Sequence, residues 1–239
     1  MSTGHREPNV VHLEPIALPE PKLDGGLSLG EAFRQRRTVR EFSDEPLPPQ
    51  LLGDLLWAAC GVNRVNGPFG VSGRTAPSAS NSQEVDVYVV LSAGAYLYDP
   101  TAHRLRPVAA GDHRRIALSA RQGAGGSNAP ARLVYVADLD KLEHTAGFDE
   151  PGLHDPEVEK SYFYVDTGLI AGNVYLFAAS RGLAAWFHNC DRPALAAALA
   201  LSERQRPLFG QTVGFPRTAA TASKSPPSDY PRNGSLVLA

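Results

Sequence analysis

Two spacings of apolar residues divide this chain. Leu52, Leu55, Leu56 and Ala59 recur three and four positions apart, which puts them on one face of a helix over 51–59. The run from Val85 to Leu91 is β-branched and aromatic, so it reads as a strand. Similar runs place strands at 131–137, 183–187 and 208–213, and a hairpin with arms 96–98 and 105–108 around Asp99-Pro100. Ser28-Leu29-Gly30-Glu31 has the form of a capping box and opens a helix to about Arg36. Segment 111–122 reads as helical, and Asp191-Arg192-Pro193 starts a helix through Leu201.

The longest helix expected runs from Glu157 to Arg181 and stops at Gly182, a residue suited to the position after a helix end. Phe163, Val165, Leu169, Ile170, Val174, Leu176 and Phe177 make it apolar round most of its circumference. Such a helix must be buried on most sides. In a chain of 239 residues, burial by a second subunit is an economical way to achieve that. Helices and strands mix without strict alternation, so the expected class is α+β with a mixed sheet. No internal repeat is visible.

Pro8, Pro15, Pro19 and Pro21, followed by Gly25-Gly26, mark residues 1–26 as an extended arm, either disordered or wrapped round a partner. Residues 27–217 form one domain, and 218–239 a C-terminal extension. Between the elements, 61–84 is rich in Gly, Asn, Ser and Pro and reads as a long polar loop, a length usually kept for function.

Composition narrows the function. At 43% hydrophobic the chain supports one sizeable core, and 23 basic against 25 acidic residues leave no excess for nucleic acid. Cys60 and Cys190 are too few for a disulfide scaffold, and the seven histidines show no zinc spacing. No run approaches the roughly 18 apolar residues of a membrane span, and 1–11 lacks the apolar core of a signal peptide. The expectation is a soluble, cytoplasmic protein without membrane or nucleic-acid partners.

Three constellations could carry chemistry. Arg34, Arg36, Arg37 and Arg40 cluster at a helix end, with Thr38 among them. Spacing alone fits dipole complementation, and it also fits two guanidinium forks and a hydroxyl gripping a phosphate monoester. Arg74-Thr-Ala-Pro77-Ser78-Ala79-Ser80-Asn81-Ser82-Gln83 enters a strand and is dense in donors and acceptors. Asn and Gln there would suit the pyrimidine edge of a flavin ring, although an ordinary polar turn has the same composition. Trp186-Phe187-His188-Asn189 ends a strand, with His188 a possible general acid. Gly123-Ala-Gly125-Gly126 misses the third glycine of a dinucleotide fingerprint and is rejected.

In order, Arg36-Arg37-Thr38-Val39-Arg40-Glu41-Phe42 and Pro77-Ser78-Ala79-Ser80-Asn81-Ser82-Gln83 resemble the FMN-dependent nitroreductase family. The likeness continues through Asp166-Thr167-Gly168, Asn173, Tyr175 and Gly182-Leu183 to Val213-Gly214-Phe215-Pro216, covering about 27–217. It implies a mixed sheet flanked by helices in an intertwined homodimer, with FMN between the subunits. By position, Arg36, Arg37, Thr38 and Arg40 would hold phosphate and ribityl groups, with Arg217 adding to the phosphate contacts. Pro77, Ser78, Ala79, Asn81 and Gln83 would line the flavin from the other subunit. His188-Asn189 would lie near flavin N5, where relatives often carry an acidic residue and Gly, or two glycines. The activity implied is ping-pong transfer of hydride from NAD(P)H through FMN to a small acceptor such as a nitroaromatic or quinone. The Tyr96–Leu105 hairpin resembles the peptide azoline dehydrogenase branch, which uses FMN and oxygen. A flavin-binding module without turnover is the alternative outside enzymes.

Overall fold

The computed structural model describes residues 13–123, 129–149 and 153–217. Residues 1–12, the 218–239 extension and most of the rejected glycine-rich run lie outside the described residues.

Among the described residues nine strands form: β1 Ile16–Ala17, β2 Val62–Arg64, β3 Gly73–Arg74, β4 Val85–Val90, β5 Gly94–Asp99, β6 Arg104–Ala110, β7 Ala131–Asp138, β8 Ala184–His188 and β9 Gln205–Gly214. The helices are α1 Leu29–Gln35, α2 Pro49–Cys60, α3 Ala120–Gly123, α4 Leu139–Glu143, α5 Pro156–Ser180 and α6 Arg192–Ala198. Seven strands make one sheet in the order β1-β6-β5-β4-β7-β9-β8, and β2 pairs with β3. The α+β class stands, with one correction: every pairing in the large sheet is antiparallel, so strand directions are not mixed. Neighbouring strands are joined by hairpins or by returns that reverse direction, and parallel neighbours would need crossovers.

Alternation in β4 separates the two faces of the sheet. Val87 and Val89 enter the larger core with Leu55, Leu56, Tyr135 and Val174, under α2 and α5. Tyr88 and Val90 join Val134, Val136, Leu195 and Leu199 on the opposite face, beneath α6. A central strand buried on both sides explains its nearly unbroken apolar run.

α5 is fixed at both ends. The Asp155 carboxylate accepts the N–H of Glu157 at 2.9 Å and of Val158 at 3.4 Å, with Pro156 in the first turn. At the other end Gly182 takes φ +68°, and Leu183 N–H returns to Ala178 O at 2.8 Å, closing a Schellman turn that delivers the chain into β8. One strip of α5 is left uncovered by its own chain. Val165 is 59% and Leu169 40% exposed, and a Cβ added at Gly168 or Gly172 would meet nothing within 4 Å.

Three segments differ from expectation. The described part of the arm packs on its own chain, with Ile16 paired to Leu105 and Lys22 N–H donated to Asp54. Over 111–122 only α3 is regular helix, and it begins at Ala120. Asp112 accepts both the backbone N–H and the guanidinium of Arg114, a local bond that competes with continued helix. The 61–84 loop holds the β2–β3 pair and two single helical turns, Pro68–Gly70 and Ala79–Asn81, because side-chain amides tie it together. Among the described residues no helix is long and apolar enough to cross a membrane.

Candidate functional site

α1 ends at Arg36, whose N–H still bonds Ala32 O, and the chain leaves extended. It is laid across the start of β8 and the end of β9: Val39 N–H meets Ala185 O at 3.0 Å, Ser43 N–H meets Phe215 O at 2.9 Å, and Phe42 bridges Pro216. Arg217 joins the same place through its N–H on Glu41 O at 3.1 Å. The expected grouping of 36–40 with 217 is therefore assembled by backbone pairing.

Tyr175, on α5, organises this cluster. Phe187 N–H donates to its hydroxyl oxygen at 2.8 Å, and that hydroxyl lies 3.1 Å from Thr38 Oγ1. With the phenol donating to Thr38, the Thr38 hydroxyl hydrogen is left for an incoming acceptor. The Arg36 guanidinium sits 5.6 Å from the centre of the Tyr175 ring, and that of Arg40 5.7 Å from the centre of Trp186. Both are cation–π distances, so aromatic faces hold the guanidiniums while their N–H forks stay available. Arg36, Arg37, Thr38 and Arg40 are all exposed, and among the described residues none of the three arginines has a carboxylate partner. Three cations without carboxylate partners among the described residues, beside the Tyr175-bonded Thr38 hydroxyl, have the composition that suits an anion.

The strap from Ser78 to Gln83 is built differently. Ser80, Asn81 and Gln83 adopt φ of +48°, +55° and +53°, the left-handed region that costs L-residues energy. The Ser78 hydroxyl accepts Gln83 N–H at 3.0 Å, closing the strap on itself. Asn81 donates its amide to the carbonyls of Pro68 at 3.3 Å and Val71 at 3.2 Å. Gln83 donates to Ser72 O at 2.6 Å and accepts from Arg74 Nε at 2.6 Å. The amides expected to read a ring edge are thus engaged within the protein, and they hold the strap's shape. Of the strap's first residues, Pro77 is exposed and Ser78 and Ala79 are half-buried. Ala79 N–H is itself anchored on the Asp166 carboxylate at 2.9 Å, from α5.

His188 points inward. It is 4% exposed, its Nδ1 lies 2.9 Å from Asn189 O and its Nε2 2.8 Å from Thr212 Oγ1. A carbonyl only accepts, so Nδ1 carries the proton and Nε2 receives the Thr212 hydroxyl. Burial, the largest cause, and the charge of Arg132 pull its pKa down to about 4, so the ring is neutral near pH 7. Its side chain is unsuited to the general-acid role considered above, and it serves instead to shape the turn that exposes Asn189.

The most informative groups outside the expected set are Tyr175, Asp166, Arg74 and Glu84. Tyr175 and Asp166 lay within the family-like segments of the long helix, but their contacts to Thr38 and Ala79 span 137 and 87 positions. No local spacing carries that information. Among the described residues no cluster of His, Cys, Asp and Glu could hold a metal ion.

Comparison with known proteins gives this geometry a context. The model of the Nitroreductase family matches residues 33–215. A Methanocaldococcus jannaschii protein assigned as a nitroreductase is 29% identical over 164 residues, spanning 66% of this chain and 76% of its own length. A Ralstonia eutropha structure with the same assignment superposes with a TM-score of 0.74 at 36% identity, covering 86% of this chain and 90% of that one. The Escherichia coli microcin synthetase complex has the fold at 20% identity, with a TM-score of 0.62 and coverage of 84% and 77%. The chain, with its antiparallel sheet, long central helix and arginine cluster, belongs to the nitroreductase family of oxidoreductases.

Proposed function

We propose that this chain acts as a homodimer, binding FMN between two copies and passing hydride from NAD(P)H to a small organic acceptor. One observation carries the reading: the two halves of the site flank an uncovered strip of α5. Nine residues separate Asp166 from Tyr175, about 13 Å along the axis and about 180° round it. Val165, Gly168, Leu169 and Gly172 lie on the arc between them and are open. One chain cannot bring its arginine cluster to its own strap across that arc. Two copies packed strip to strip would set the cluster of each beside the strap of the other, and the glycines would permit close approach.

The residues fit the cofactor. Arg36, Arg37, Thr38, Arg40 and Arg217 would hold the phosphate and ribityl groups, and Tyr175 orients the Thr38 hydroxyl for that task. Backbone at Pro77, Ser78 and Ala79 of a second copy would line the ring, with Asn81 and Gln83 keeping that backbone rigid. The turn at His188-Asn189 would border the reacting edge through its backbone, since the imidazole is buried and neutral. Bound FMN supplies a reversible two-electron carrier, and the protein contributes orientation, charge and exclusion of water. No side chain of the site need serve as nucleophile.

The purified protein should be yellow, sediment as a dimer, and bleach anaerobically on adding NADH or NADPH. A colourless protein that takes up no added FMN would overturn the reading. Flavin that no nicotinamide reduces, with oxygen consumed on an azoline-containing peptide, would replace it with a dehydrogenase.

A further inference from the structure

Behind the strap sits a pair of carboxyls outside the proposed FMN contacts. Glu84, immediately before β4, is 0% exposed, and Asp166 lies on α5 at 5%. Both line one small cavity with Arg74, Ser78, Gln83 and Cys60. Glu84 Oε2 accepts the Ser82 hydroxyl at 2.6 Å, and Asp166 Oδ2 accepts Ala79 N–H at 2.9 Å. Glu84 Oε1 is buried with no donor of its own. The neighbour within its reach is the Asp166 carboxyl, which as a carboxylate also only accepts.

We propose that Glu84 and Asp166 share one proton, and that this proton clamps the Ser78–Gln83 strap between β4 and α5. Two ionised carboxylates in one buried site repel, whereas a single proton between them turns repulsion into a hydrogen bond. Each carboxyl then keeps its bond to the strap, Glu84 through Ser82 and Asp166 through Ala79. Loss of the proton would drive the carboxyls apart and loosen the strap at both points. The surrounding groups leave this task to the proton. Arg74 is engaged with Gln83 Oε1 and Cys60 O, and burial pushes the Cys60 thiol up to about 12, so it stays neutral. Asp86, the acid on β4, is paired with Lys141 at 2.5 Å, and Val85 and Ile170 line the cavity.

Burial first, and the Asp166 charge second, raise Glu84 from 4.5 to about 7. The folded state therefore holds a proton that the unfolded chain releases above pH 4.5. Stability from this group is complete below that pH, falls as pH rises through about 7, and is then level. Glu84→Gln keeps an acceptor for Ser82 and gives Asp166 a permanent donor, and Asp166→Asn does the reverse while still accepting from Ala79. The Tm of the flavin-free wild type should fall, on the order of 5 °C, between pH 5.5 and 8 relative to either variant. Infrared difference spectra of the wild type across the same range should show a protonated carboxyl stretch that disappears on raising pH and is missing from Glu84→Gln. Parallel Tm profiles, or no such band, would overturn the clamp. These readouts need no flavin, so they stand or fall apart from the proposed cofactor. Where FMN binds, its Kd should weaken about tenfold from pH 6 to 8 in the wild type and stay level in Glu84→Gln. Equal pH dependence in both would remove the link between clamp and cofactor.

Discussion

The arginine segment and the strap are both dense in hydrogen-bonding side chains, yet they spend them in opposite ways. From Arg36 to Arg40 the donors face solvent, steadied by Tyr175 and Trp186 and unopposed by carboxylates. From Ser78 to Gln83 they turn inward: Asn81 on Pro68 and Val71, Gln83 on Arg74 and Ser72, Ser78 on Gln83. Polar density in a loop therefore says that hydrogen bonds will form, and not with what. The first segment leaves its side-chain donors exposed. The second holds three left-handed residues in place so that its backbone keeps one shape.

That contrast can be broken by substitution. Arg36→Ala with Arg40→Ala should weaken FMN binding by at least about 100-fold, or about 3 kcal/mol for two charge-assisted contacts, while riboflavin binding barely changes. Fluorescence titration with both flavins checks this, and an equal loss for riboflavin would place the arginines elsewhere than at the phosphate. Gln83→Ala should behave in the reverse manner. It strands Arg74 Nε and leaves Ser72 O only the long bond from the Asn81 amide at 3.5 Å, lowering the stability of the flavin-free protein by about 2 kcal/mol in urea and affecting both flavins alike. A stable Gln83→Ala protein that lost only ring recognition would restore Gln83 as a ligand contact.

Smaller effects sharpen the picture. Tyr175→Phe removes the hydroxyl that receives Phe187 N–H and orients Thr38, and should cost about tenfold in FMN affinity, near 1.4 kcal/mol. Thr38→Val on top of it should add little if the two act as one unit, which a double-mutant cycle will read. His188→Gln should leave the pH profile of turnover unchanged between 6 and 8. Its effect belongs to acid stability. The folded pKa near 4 lies below the ordinary 6.5, so the unfolded chain binds the proton first, and stability falls as pH drops through that window. Glutamine should flatten that fall, and a profile as steep as wild type would assign it to other groups.

Much of the architecture is local and was legible in residue order. The Ser28 cap on Glu31 N–H, the Asp155 cap and the Gly182 stop follow from side chains acting within a few positions. β4 and β7 are largely apolar runs whose stable place is a sheet interior. The segment at 111–122 misled because Asp112 and Arg114 bond each other, and helix propensity is too weak to win against that.

Residue order also determined the chemistry available: an arginine-rich helix end, a donor-rich strap, and a helix with more apolar surface than one chain covers. Tertiary structure alone decided how those groups were used. It joined Thr38 to Tyr175 and Ala79 to Asp166, turned His188 inward to lower its pKa, and buried Glu84 against a second acid. The physical reason is common to all four. Desolvation and contact depend on what packs against a side chain, and those neighbours come from parts of the chain that no short-range spacing relates.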